Sequence, residues 1–384
     1  MRVLSTPASP SPSLREQPTA WLLRVATIDP LLTILVLAAI VLVAVHPLTP
    51  ERYVALIDWP TLQALAGLLV LTRGIETSHA LQHAARALLM RVQTLRQLAL
   101  LLVMLSAALS TLLTNDVSLF LVVPLTLGIA RIAEVPLARL VIFEALAVNA
   151  GSALTPIGNP QNLLLWHKAG GSMLAYVQIM FPAVAIMSLL LLALTALMFG
   201  GQRIALNLEQ SQDGIDRRLL SVSLALLLGF LAALELHAAL PGMLIVLALF
   251  ALLFRQVLRA VDWKLLLIIG LMFIDLGALA ALPALTRLLP QLPLSQPLPV
   301  YWAGVLLSQF ISNVPAAILL SPLTAHTAAL AVGVNVGGFG LAIGSLANLI
   351  ALRQVGGMAI YKQFHLISVP FLIVVAVVVS ILLR

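Results

Sequence analysis

The chain has 384 residues, 61% of them hydrophobic and only 9% charged, with a formal net charge of +7. Soluble domains carry about 25% charged residues, so this composition excludes a water-soluble globular protein and points to lipid as the solvent. The absence of cysteine excludes disulfides, thiolate metal sites and thiol catalysis. The basic residues are scattered between apolar runs and form no nucleic-acid-binding patch.

Residues 1–28 are polar and rich in Pro and Ser; they read as a cytoplasmic tail with an interfacial helix around Trp21, and no cleaved signal peptide is expected. Spanning helices are predicted over 29–46, 60–80, 140–166, 173–199, 219–236, 241–254, 264–282, 332–352 and 365–383. Two further apolar stretches, 98–129 and 301–324, are broken by Thr114-Asn115-Asp116 and by Ser312-Asn313-Val314-Pro315. Their arms, about 11–17 residues each, are short for a full crossing at 1.5 Å per residue. They read as re-entrant hairpins, with a kinked pair of ordinary helices as the alternative.

The chain is internally duplicated. Between 149–163 and 335–349, Asn, Gly, Ile, Gly, Asn and Leu recur at identical spacing. Asn115 and Pro124-Leu125-Thr126 match Asn313 and Pro322-Leu323-Thr324; Asp58-Trp59 matches Asp262-Trp263. The predicted fold class is an all-α polytopic membrane protein of two inverted-topology repeats, each with a re-entrant hairpin and a discontinuous transmembrane helix. The organisation is a first repeat over 29–199, a cytoplasmic loop and linking helix over 200–239, and a second, inverted repeat over 240–384. With a cytoplasmic N-terminus and an external C-terminus, every Lys and Arg falls inside except Arg52, Lys168, Arg287 and Arg384, with Arg73 left within a helix. That asymmetry obeys the positive-inside rule.

Gly/Pro-interrupted helices in matching positions of two repeats point to a transporter site near the bilayer midplane. Bare backbone is costly in lipid, so it must line a cavity or be buried in protein. The breaks supply Asn149, Gly151, Ser152, Thr155, Asn159 and Asn162 from one repeat, and Asn335, Gly337, Gly338, Ser345 and Asn348 from the other. The tips add Thr114, Asn115, Ser312 and Asn313. Helix N-termini there attract anions, and loose carbonyls coordinate cations. Asp116 is the one acidic tip residue; it is a candidate to couple a proton or cation, with Asn115 and Asn313 beside it, and the compatible structural reading is a cap on the second hairpin arm. Arg73 and Glu76 are three apart and read as a structural pair, with Asp275 a cross-repeat alternative for Arg73. Glu144 and Glu235 are placed near helix ends. His79 and His83 read as interfacial decoration, and no metal site or cofactor is expected beyond Na+ as an alternative coupling ion.

The tip and break motifs, in this order, resemble the ArsB/NhaD permeases of the ion transporter superfamily, which also includes the divalent-anion/sodium symporters. The likeness runs from about residue 30 and is greatest to short bacterial inner-membrane permeases. It implies a scaffold and a transport domain that moves elevator-fashion, commonly in a homodimer, with Asn115, Asn149, Asn313 and Asn335 framing substrate and cation sites. The tips read Thr-Asn-Asp and Ser-Asn-Val, departing from the Ser-Asn-Thr of the dicarboxylate symporters. The expected function is a secondary carrier moving a small anion or oxyanion across the inner membrane, coupled to H+ or Na+. Na+/H+ antiport and arsenite or antimonite efflux are the alternatives. A channel would need a more continuous polar pore, an intramembrane enzyme would need more mid-depth acids or ligands, and no phosphate-binding loop provides ATP drive.

Overall fold

The computed structural model describes residues 30–89, 92–204, 214–288, 291 and 293–383. The expected tail and interfacial helix lie outside the described residues, as does part of the loop before the linking helix. No β-strand occurs among the described residues, and the elements fall into the same order twice.

The first half opens with α1 (Pro30–Val45), the short α2 (Pro50–Leu56) and α3 (Trp59–Thr77), then α4 (Ala80–Leu89). A hairpin of α5 (Leu95–Leu112) and α6 (Asn115–Ile132) follows, then a broken helix of α7 (Leu137–Ser152) and α8 (Pro160–Ala169), closed by α9 (Met173–Met198). The linking helix is α10 (Arg217–Glu235). The second half has α11 (Ala239–Leu253), α12 (Arg255–Ala260), α13 (Trp263–Ala280) and α14 (Pro283–Leu288). Its hairpin is α15 (Pro297–Ile311) with α16 (Asn313–Leu320), its broken helix α17 (Thr327–Val336) with α18 (Leu346–Val355), and its closing helix α19 (Met358–Ser380).

The duplication is visible in local chemistry. Asp58 caps α3 by accepting from Thr61 N at 3.0 Å, and Asp262 caps α13 by accepting from Lys264 N at 3.2 Å. The tryptophan after each cap donates its indole N–H to a carbonyl five residues back, Val54 at 3.3 Å and Leu258 at 2.9 Å. Such caps satisfy N–H groups that the first helical turn cannot pair internally.

Among the described residues, five helices are long and apolar enough to cross a bilayer, one of them the hairpin arm α5, or six with the α2–α3 pair, bent by 56°, taken as one span. The sequence reading gave about nine crossings, and the difference has a geometric cause. Helices α1 and α11 have only 16 and 15 residues, about 24 and 22 Å at 1.5 Å per residue, and two other crossings are broken. The first hairpin departs from expectation as well. Its arms are 18 residues each rather than 11–17, because α5 starts at Leu95 and α6 runs from Asn115 to Ile132, beyond the ends of the apolar stretch. The second keeps one short arm, α16, of 8 residues before a 3-10 turn at Ser321–Leu323.

Two packing groups emerge. In one, α3 lies against α10 and α11, while α13 lies against α1 and α2. In the other, α7 packs on α5 and α6, and α17 packs on α15 and α16. The broken helices cross: α18 contacts α7, and α17 contacts α8. A small satellite core of Leu119, Val123, Val141, Ala145, Val148, Ala347 and Ala351 joins α6, α7 and α18. Glu144 is a correction to the sequence reading. It lies mid-way along α7, fully buried, accepting a bond from Thr126 Oγ1 on α6. Glu235 does end α10, where it accepts from Met173 N at 2.8 Å. Apolar side chains such as Leu228, Leu252, Leu366 and Ile373 point outward, as lipid-facing positions do.

Candidate functional site

The glycines at the breaks bring helices into backbone contact. A β-carbon on Gly151 would stand 2.1 Å from the Ala107 carbonyl oxygen, and one on Gly337 would stand 2.6 Å from Ser308 Cβ. Each glycine's freed carbonyl is taken by a side chain of the neighbouring hairpin arm. Thr111 Oγ1 donates to Gly151 O at 2.9 Å, and Gln309 Nε2 donates to Gly337 O at 2.7 Å. Gln309 also accepts from Leu341 N at 2.9 Å. Gln309 was missed by the sequence reading, although the hairpin alignment that pairs Asn115 with Asn313 places it opposite Thr111.

The asparagines bond one another across the repeats. Asn149 Nδ2 donates to Asn348 Oδ1 at 2.7 Å, and Asn335 Nδ2 donates to Asn162 Oδ1 at 2.7 Å. Asn159 Nδ2 adds a bond to Asn335 Oδ1 at 3.1 Å. Carbonyls expected to be loose are occupied: Ser152 O accepts from Asn162 at 3.0 Å, and Gly338 O accepts from Asn348 at 2.8 Å. Thr155 Oγ1 donates to Thr111 O at 2.7 Å. This network knits the two breaks together, and such buried amides are costly to leave unpaired.

The tips are arranged alike. Asn115 Oδ1 accepts from Asp116 N at 3.0 Å, and Asn313 Oδ1 accepts from Val314 N at 2.9 Å, so each side chain folds over its helix start. Asn313 Nδ2 and Asn149 Oδ1 both approach Gly338, where a β-carbon would stand 3.3 and 3.4 Å from them. Ser312 adopts φ 75° and ψ 159°, a backbone region open mainly to glycine. Asp116 is not the cap of α6; Thr114 holds that position without a side-chain bond, and Asp116 Oδ1 has no partner among the described residues. Thr114 Oγ1 and Ser345 Oγ are buried and likewise unpartnered there.

Both tips meet at a gap of about 30 Å³ lined by Asn115, Asp116, Pro160, Met272, Ser312, Asn313 and Leu346 among others. Residues from four helix starts, those of α6, α16, α8 and α18, therefore face one point. The gap adjoins a cavity of about 1020 Å³ whose walls include α1, α3, α13, the tips and α18. Asp116, Met272, Ser312 and Leu346 belong to both. Of the residues singled out in the sequence, Asn115, Asp116, Ser312 and Asn313 line the gap. The broken-helix residues stand behind it. Arg73 also lines the cavity and pairs with Glu76 at 2.9 Å.

Residues 20–333 match the profile of CitMHS, described as a citrate transporter family. The chain belongs to the CitMHS family. It is 45% identical over 356 residues to the inner membrane protein YbiR of Escherichia coli, covering 92% of this chain and 95% of that one. It is 33% identical over 332 residues to an uncharacterised transporter of Methanocaldococcus jannaschii, covering 86% and 90%. A shorter stretch of 168 residues, 42% of this chain and 35% of the relative, is 29% identical to the silicon efflux transporter LSI3 of Oryza sativa. This CitMHS member is a multi-pass membrane transporter.

Proposed function

We propose that the chain is a secondary carrier of small anions, with the substrate's negative group seated in the gap between the hairpin tips. The observation that carries this is the convergence of four helix starts on that gap. Each helix N-terminus carries about half a positive charge, so the four together amount to roughly +2 against one carboxylate, Asp116. Backbone N–H groups at such ends form an anion site without any cationic side chain. The gap takes one carboxylate-sized group and leaves the remainder of a substrate to the cavity, which suits a polycarboxylate such as citrate, the substrate in the family's description.

Asp116 gives the carrier its coupling. An anion about 5 Å from an ionised Asp116 meets a repulsion of about 3 kcal/mol at an effective dielectric of 20. Protonating Asp116 removes it, so anion and proton favour each other's binding, which is the thermodynamic basis of symport. Na+ held by Asn115, Asn313 and Asp116 is the rival coupling ion. A second substrate reading, an uncharged or weakly acidic oxyacid, is favoured by the hydroxyl and amide groups at the tips and by the local likeness to a silicon efflux transporter. The ArsB/NhaD likeness of the motifs agrees with it, arsenite being such an oxyacid.

The working scheme is elevator-type. The group containing both hairpins, both broken helices, α9 and α19 moves against the scaffold of α1, α3, α10, α11 and α13, in the inner membrane and in a homodimer, with the N-terminus cytoplasmic. The test is uptake into proteoliposomes of labelled citrate, succinate, sulfate and arsenite under imposed pH or Na+ gradients. Asn115→Ala and Asn313→Ala are expected to abolish gradient-driven uptake while inserting normally. Wild-type uptake in both variants would remove the tips from the site.

A further inference from the structure

Helix α13 presents one stripe to the cavity: Ile268, Met272, Asp275, Leu276 and Leu279. Their spacing of three to four residues keeps them on a single helical face. Asp275 is the one acid in that stripe. It is 5% exposed, and neither of its carboxylate oxygens has a hydrogen-bond partner among the described residues. Met272, one turn before it, borders the tip gap as well as the cavity.

Among the described residues, no salt-bridge partner is found for Asp275. Helices α1 and α16, which pack on α13, carry no charged residue. Helix α2 carries Glu51 and Arg52, both exposed, and Tyr53; α14 brings Arg287 in its sequence. On α3, Arg73 is committed to Glu76. Lys264, which has contacts of its own, starts α13 eleven residues before Asp275, about 16 Å along the axis. Asp116, Asp262 and Arg353 complete the charged groups of the cavity.

A carboxylate enclosed by apolar groups without a partner is strongly disfavoured, and such a group is stable in its neutral form. A hard metal cation takes several oxygen ligands. The α1 residues lining the cavity are all aliphatic, and the neighbours of Asp275 on its own stripe are Met272, Leu276 and Leu279. A proton needs one oxygen. We propose that Asp275 is a second proton-binding position of the cavity, on the α13 wall, in addition to Asp116 at the tip. The inference rests on the carrier reading for its purpose. In that scheme the carboxyl of Asp275 takes a proton from the cavity and returns it there, so the fixed wall and the tip each hold one titratable group.

The test is infrared spectroscopy of the purified full-length chain in lipid nanodiscs, titrated with pH in the absence of substrate. The wild type is expected to show a protonated-carboxyl band that grows as bulk pH falls. Asp275→Asn should remove one carboxyl from that band, and Asp275→Glu should keep it at a shifted frequency. An Asp275→Asn spectrum that titrates like the wild type overturns the proposal, as does a wild-type band indifferent to bulk pH. Should Asp275→Asn not fold, an unshifted band in Asp275→Glu overturns it equally. This readout needs no transport, so it separates the proton site from the carrier reading, which fails instead through undiminished uptake in Asn115→Ala and Asn313→Ala.

Discussion

At the scale of single residues, the tips hold the unusual features: an acid with an unpartnered oxygen, two asparagines folded over helix starts, and a serine in glycine-like backbone. If Asp116 carries the coupling proton, Asp116→Asn should retain substrate binding and lose pH-gradient-driven accumulation, measured as uptake with and without an imposed gradient. Ser312 offers a separate test. A residue held at φ 75° and ψ 159° stores about 1–3 kcal/mol of strain, so Ser312→Gly should raise the apparent melting temperature. An unchanged or lowered value would show that the tip is relaxed. Asn115, Asp116 and Asn313 were legible in the sequence because polar residues interrupt apolar runs there. Gln309 and Asp275 were harder to assign. Each sits inside an otherwise apolar helix, and nothing in sequence distinguishes a cavity-facing stripe from a lipid-facing one, since both are apolar.

At the scale of elements, the paired breaks work as a unit. Gly151 and Gly337 let each broken helix touch its hairpin, and asparagines from both repeats close the hydrogen bonds that the unwound backbone leaves open. Gly337→Val would drive a branched side chain toward Ser308 Cβ and the Val305 carbonyl oxygen. Overpacking of this kind costs about 1–3 kcal/mol, so a lowered melting temperature is expected. Gly128, inside α6, where an added β-carbon would meet nothing within 4 Å, serves as the control: Gly128→Ala should not lower the melting temperature, since alanine favours a helix interior over glycine. The breaks were legible from Gly, Pro and Asn at repeated spacing. Their bonding was not, because sequence reveals donors and acceptors but not which ones meet. That is why side chains expected to face a ligand turn out to bond each other. The arm lengths of the first hairpin were underestimated for a related reason: polar residues such as Arg96, Gln97 and Arg131 end the apolar run, yet α5 and α6 include them.

At the scale of the whole molecule, α10 joins two halves with the same order of elements, and their hairpin tips and half-helices meet where α13 closes the gap. Composition alone placed the chain in a membrane, and the duplicated motifs supplied the order of elements. The large cavity was not legible, since it arises from how α1 and α13 stand beside the tips and α18. The central claim is that ligand binds at the tips, and thermal stability of the purified protein against citrate, succinate, sulfate, arsenite and Na+ tests it most directly. A ligand at 100 times its dissociation constant adds about 2.7 kcal/mol to the folded state. The account expects at least one anion to raise the wild-type melting temperature in a concentration-dependent way, and the effect to vanish in the Asn115→Ala/Asn313→Ala double variant. An anion that stabilises the double variant as strongly as the wild type would contradict it.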